Sequence, residues 1–139
     1  MDIFASFATD ESLEVEGKWF NLSKTARVKV ARAGNPNYVK RLRKKLDENR
    51  IDLESQGEEA NDLAEKVMID VMADTILLGW EDIQFQGKPM GYSPLNARLL
   101  LKVKDFRKKV SGFSESFEAF KVKQEEELGN DSPSTSTGA

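Results

Sequence analysis

Asp70 and Asp74 stand four residues apart, a spacing that sets both carboxylates on one face of any helix that carries them. Such a pair could hold a hard cation through oxygen ligands. An acidic face turned to water is the plainer reading. Two absences cut off most other chemistry. With no Cys there is no disulfide, thiol nucleophile or thiolate metal site. With no His the commonest general base and most zinc sites are gone. Carboxylate, Lys and Tyr side chains remain, but no glycine-rich phosphate loop, Walker motif or Ca²⁺ loop arranges them. Ser93 precedes Pro94 and is explained as a helix cap. The sequence therefore reads as a non-enzyme, with no catalytic, cofactor-binding or metal residues.

What is left is binding. Lys40, Arg41, Arg43, Lys44 and Lys45 make one face of a helix whose other face is Tyr38, Leu42 and Leu46. They form either a solvated face or a self-assembly or charged-contact surface. Residues 23–50 carry ten Lys/Arg against two Asp/Glu, and residues 51–82 carry ten Asp/Glu against one Lys. Neighbouring blocks of opposite sign either pair within the fold or join copies head to tail, and the second kind of contact weakens with salt. Nucleic acid fits poorly. The net charge is −3, the acidic block would repel a polyanion, and Tyr38 is the single aromatic on the basic helix.

The elements that must position these residues follow from periodicity. Residues 13–20 and 26–31 alternate apolar and polar, which predicts two strands around a turn at 21–25. A lone hairpin is marginal, so it must pack on something. Asn35-Pro36 starts a helix that runs to about Arg50. A second helix begins after Gly57, with Ala60, Leu63, Ala64, Val67, Met68, Val71, Met72, Thr75 and Ile76 on one stripe and Gly79 as its C-cap. Trp80 to Phe85 predicts a short strand, with a turn at Gln86–Pro89 and a return through Met90–Tyr92. Ser93-Pro94 opens a third helix. From Leu99, the positions Val103, Phe106, Val110, Phe113, Phe117 and Phe120 recur at steps of four and three, a heptad seam with Gly112 as its weak point.

The seam either closes the core or docks a partner helix. The candidate partner contacts are Phe106, Val110, Phe113, Phe117 and Phe120, together with Tyr92 and the adaptable Met68 and Met72. Trp80 reads as a lid on the core. Residues 125–139 are too polar to order themselves and predict a disordered tail. The expected fold is α+β and mostly α-helical. A small N-terminal antiparallel β-hairpin within 1–34 packs on a bundle of about four helices within 35–124. At 139 residues, with 39% apolar and 32% charged, residues 1–124 suit one domain. Met1-Asp2-Ile3-Phe4 lacks the basic and apolar regions of a secretory signal, and no apolar run is long enough to span a bilayer. The expected place is the cytoplasm, away from membranes.

The run Ile76-Leu77-Leu78-Gly79-Trp80-Glu81-Asp82-Ile83, then Gly87-Lys88, then Tyr92-Ser93-Pro94-Leu95-Asn96-Ala97, then Leu99-Leu100, resembles the tail assembly chaperones of long-tailed bacteriophages. A weaker likeness extends back through Val28–Asn35 and Tyr38 and forward to Phe106–Phe120. The resemblance implies a non-catalytic protein that binds and solubilises the tape measure protein. It further implies help in recruiting tail tube subunits, through a frameshifted longer form. Such a protein works in the host cytoplasm and is not expected in the mature virion. A homo-oligomer is compatible with several copies lining a long client. Two other readings of the chain stay open at this point. One is a small structural virion protein, a tail or head–tail connector component. The other is a basic-helix nucleic-acid binder.

Overall fold

The computed structural model describes residues 1–55 and 57–123. The expected disordered tail at 125–139 lies outside the described residues. The chain opens with two short helices, α1 (Ile3–Phe7) and α2 (Glu11–Glu16). Each is capped by an aspartate: Asp2 accepts from the Ala5 amide and Asp10 from the Leu13 amide. The alternation at 13–20 predicts a strand from Leu13, and only its second half becomes one. The Asp10 cap and the acidic first turn, Glu11 and Glu14, favour a helical turn first. Gly17 then ends it.

Gly17 lies at φ +88°, and a Cβ there would meet the Val30 carbonyl at 3.2 Å and the Ala31 nitrogen at 3.3 Å. Both the backbone angle and the space demand glycine. Gly17→Ala is expected to cost about 1–3 kcal/mol. Urea unfolding checks this, and an unchanged midpoint would contradict it.

Strands β1 (Lys18–Asn21) and β2 (Arg27–Val30) pair antiparallel, with Lys18 opposite Val30. Ser23 makes the turn, its hydroxyl accepting from the Ala26 amide at 3.0 Å. Helix α3 (Pro36–Glu48) starts as predicted, with the Asn35 side chain accepting from the Tyr38 amide at 3.1 Å. Asn35 is buried and also donates to the Arg32 carbonyl at 2.8 Å. The helix stops at Glu48, and a separate turn, α4 (Arg50–Glu54), follows. The predicted helix after Gly57 is α5 (Glu58–Thr75).

Gly79 is not the cap of α5. The helix ends at Thr75, and Ile76 leads directly into β3 (Leu77–Glu81), which holds Gly79. The β-rich run from Ile76 is drawn away from the helix because β2 offers it a free edge. β3 pairs antiparallel with β2, Val28 opposite Trp80, giving the order β1-β2-β3. The expected hairpin is thus two strands of a three-stranded sheet. β4 (Gln84–Phe85) and β5 (Lys88–Pro89) form a separate ladder, so the return runs through Lys88–Pro89 rather than Met90–Tyr92. The two-residue turn between them has Gln86 at φ 53° and Gly87 at φ 82°, the positive angles that match a hairpin's twist.

Three helices close the described chain: α6 (Pro94–Leu101), α7 (Lys104–Ser114) and α8 (Phe117–Phe120). Ser93 caps α6, accepting from the Asn96 amide at 3.0 Å. The heptad seam is therefore not one helix. It breaks at Lys102–Val103 and at Glu115–Ser116, whereas Gly112 stays inside α7. Short loops let each segment turn its own apolar side inward.

The architecture is α+β with mainly helical content. One face of the sheet, through Val28, Val30, Leu77 and Trp80, packs on Met72 and Ile76 of the α5 end, Ala97 and Leu101 of α6, and Val110 of α7. Each fully buried Val, Leu or Ile side chain contributes about 1.5–3 kcal/mol. The two ends of the described chain meet: the Asp10 amide donates to the Phe120 carbonyl and the Val122 amide to the Ala8 carbonyl. Among the described residues, no helix is long and apolar enough to cross a membrane.

Candidate functional site

The two charge blocks pair in part within the fold. Arg98 of α6 reaches Asp70 through Nε and Asp74 through Nη2, each at 2.9 Å. Arg41 meets Asp74 at 3.0 Å and Lys45 meets Asp70 at 3.8 Å. Asp70 and Asp74 thus join α3 and α6 to α5, and their negative charge is spent on cationic side chains. Burial disfavours the Arg98 charge, but the two carboxylates outweigh it and its pKa is raised. Among the described residues, no group of three or more acidic side chains is arranged to hold a metal ion. Lys40, Arg43 and Lys44 are exposed and form no ion pair among the described residues. The five basic residues named together are therefore two kinds: Arg41 and Lys45 face the fold, and the other three face solvent.

Trp80 is buried at 7% exposure, and its indole N–H donates to the Met90 carbonyl at 2.7 Å. Tyr92 meets it edge-on, with ring centroids 5.0 Å apart. The Tyr92 hydroxyl donates to the Leu77 carbonyl at 2.8 Å. Burial, then the Asp74 charge, pushes the phenol pKa up, which keeps it a donor. Tyr92, a candidate contact from sequence, is a brace between β3 and the loop before α6.

Two of the seam's candidate contacts are corrected by their burial. Val110 and Phe120 are fully buried, so neither is open to a partner. Phe113 stacks on Phe20 with centroids 4.5 Å apart, and Phe117 meets Phe7 at 5.7 Å. Phe106 is half-buried against the core. Val110 and Phe120 are covered because the sheet and the N-terminal segment, both distant in sequence, pack on this part of the seam, whereas Phe106, Phe113 and Phe117 stay half-buried. Its open members are Leu99 and Val103.

An open apolar site lies elsewhere. A groove of about 430 Å³ runs between the start of α3, the middle of α5 and α7. Tyr38, Met68, Met72 and Ile76 line its apolar side, with Arg107 and Lys108 beside them. Met72 is nearly buried beneath it, whereas Met68 is 37% exposed. The Tyr38 hydroxyl lies 3.9 Å from the Met68 sulfur. Gly112 lines the groove and a Cβ there would meet nothing within 4 Å, so the wall is low where α7 passes. Arg107 is held by Glu65 and the Leu101 carbonyl, each at 2.8 Å.

Such a site can take apolar side chains of a helix along an adaptable methionine floor. It brings together two residues the sequence singles out, Met68 and Met72, with two it did not group with them, Tyr38 and Gly112. The signal for Gly112 was present: a glycine with no turn to make, inside a helical repeat.

A family model described as YdaY prophage protein matches residues 33–130. No curated protein and no solved structure matches. The matched stretch holds every residue of the groove and leaves β1 and β2 outside. Because it covers well over half of the chain, the protein belongs to the YdaY prophage protein family and is of phage origin.

Proposed function

We propose that this phage protein is a tail assembly chaperone that binds the tape measure protein and keeps its apolar helix faces soluble while the tail is built. The observation that carries the reading is the open groove floored by Met68 and Met72 and walled by Gly112. A helix in search of cover for an apolar stripe finds there a surface that adapts to different side chains. The resemblance of the Ile76–Leu100 stretch to tail assembly chaperones points the same way. On this reading the role is non-enzymatic and uses no cofactor.

On this reading the protein acts in the host cytoplasm and is left out of the finished virion. Tail tube subunits are recruited through a frameshifted longer form. The test is co-expression with the phage's tape measure protein, followed by pull-down. The tape measure protein should shift to the soluble fraction and co-purify. If it is equally soluble and unbound with or without this chain, the reading fails.

A further inference from the structure

Among the charges that the intramolecular ion pairs leave over are two clustered sets of opposite sign. On α3, Lys40, Arg43 and Lys44 are exposed and form no ion pair among the described residues. They surround two exposed apolar side chains, Val39 at 40% and Leu46 at 44%. Val39, Arg43 and Leu46 follow steps of four and three, so they form one outward stripe. Around α4 and the first turns of α5, Asp52, Glu54, Glu58, Glu59 and Asp62 are exposed and likewise form no ion pair among the described residues. Beside them Ile51 is 78% exposed. Each set places exposed apolar side chains among charges mostly of one sign, with Asp47 and Glu48 next to Leu46 and Arg50 next to Ile51 as the exceptions.

We propose that the two sets bind each other between copies, so that the chain self-associates head to tail. The α3 stripe of one copy sits on the α4–α5 acidic turn of the next. A second copy fits better than nucleic acid, because phosphates would leave Val39 and Leu46 uncovered, whereas the acidic turn carries the exposed apolar Ile51 to set against them. The two patches are different surfaces, so the contact is heterologous. It builds a ring or an open row rather than a two-fold dimer. Exposed charge pairs of this kind steer and register the contact more than they tighten it, and salt screens them.

Sedimentation velocity on the full chain tests this without any other phage protein, so its outcome is separate from that of the tape measure experiment. Species larger than a monomer are expected at about 0.05 M salt, with the association constant falling at least about tenfold by about 0.5 M. The variant Lys40→Glu/Arg43→Glu/Lys44→Glu and the variant Glu58→Lys/Glu59→Lys/Asp62→Lys should each be monomeric at low salt. All six positions are exposed, so circular dichroism melting should show both folded. An equimolar mixture of the two should associate again: the α3 of the second variant meets the α4–α5 turn of the first with the native signs, and the α3 of the first meets the α4–α5 turn of the second with the signs exchanged. Lys24→Glu/Lys88→Glu/Lys104→Glu changes the net charge by as much as the first variant but should associate like wild type. A wild-type monomer at low salt overturns the proposal. So does a mixture that stays monomeric, or an α3 patch that binds a DNA duplex while the chain alone remains monomeric.

Discussion

Phe120→Ala is expected to lower the unfolding free energy by about 3–5 kcal/mol. Phe120 is fully buried although it ends a four-residue helix at the edge of the described chain. Its ring lies 6.3 Å from that of Phe20, and the Arg32 guanidinium sits 5.6 Å above it. Its carbonyl accepts from the Asp10 amide, which ties the N-terminal segment to α8. Truncation would open a cavity between α8 and β1 that neither can collapse to fill. Domains of this size hold a total stability of about 5–15 kcal/mol, so the loss is a large fraction. Urea unfolding monitored by Trp fluorescence measures it. Phe117→Ala is the comparison, since its half-buried ring leans on the exposed Phe7 and should cost less. Equal costs for the two, or a Phe120→Ala effect under about 1 kcal/mol, would mean that Phe120 is not a core residue.

Gly112→Trp is expected to cut capture of the tape measure protein at least about tenfold, or about 1.4 kcal/mol, and to leave the fold no less stable. The site permits the change because a Cβ there meets open space and the backbone angle is helical. Replacing Gly inside a helix is itself favourable by a few tenths of a kcal/mol or more. The indole would lie in the groove that the helix of a client needs. Met68→Glu attacks the same groove by other means, setting a charge on its floor at a position 37% exposed. The two should agree in pull-down, while melting temperatures stay near wild type. Full capture by both variants would show that the client binds somewhere else. Lost capture together with lost stability would show only damage to the fold.

The opposite fates of Phe120 and Met68 show what periodicity conveys. Both sit on apolar stripes at helical spacing, and the stripe says that one face is to be covered. It does not say by what. The sheet and the N-terminal segment cover Val110, Phe113 and Phe120, and Phe7 covers part of Phe117. Among the described residues nothing comparable crosses Met68, because α7 passes it with Gly112. The second helix, α2, shows a local conflict of the same kind. Leu13 and Val15 alternate like a strand, but the Asp10 cap and two first-turn glutamates won over so short a segment.

By itself the sequence determined what neighbours along the chain can decide. The caps at Asn35-Pro36 and Ser93-Pro94 and the absence of thiol and imidazole side chains depend on residue type within a turn or so, whereas the α5 stripe was read only in part: Ala64 and Met68 are exposed, and Ile69 and Ala73 are buried in their place. The tertiary structure decided the rest. It set Arg98 against Asp70 and Asp74 from 28 and 24 residues away, made Tyr92 a brace on β3, and opened the groove at Met68. Burial is a property of which elements meet. That choice minimises apolar surface over the whole chain at once, and no local window contains the sum.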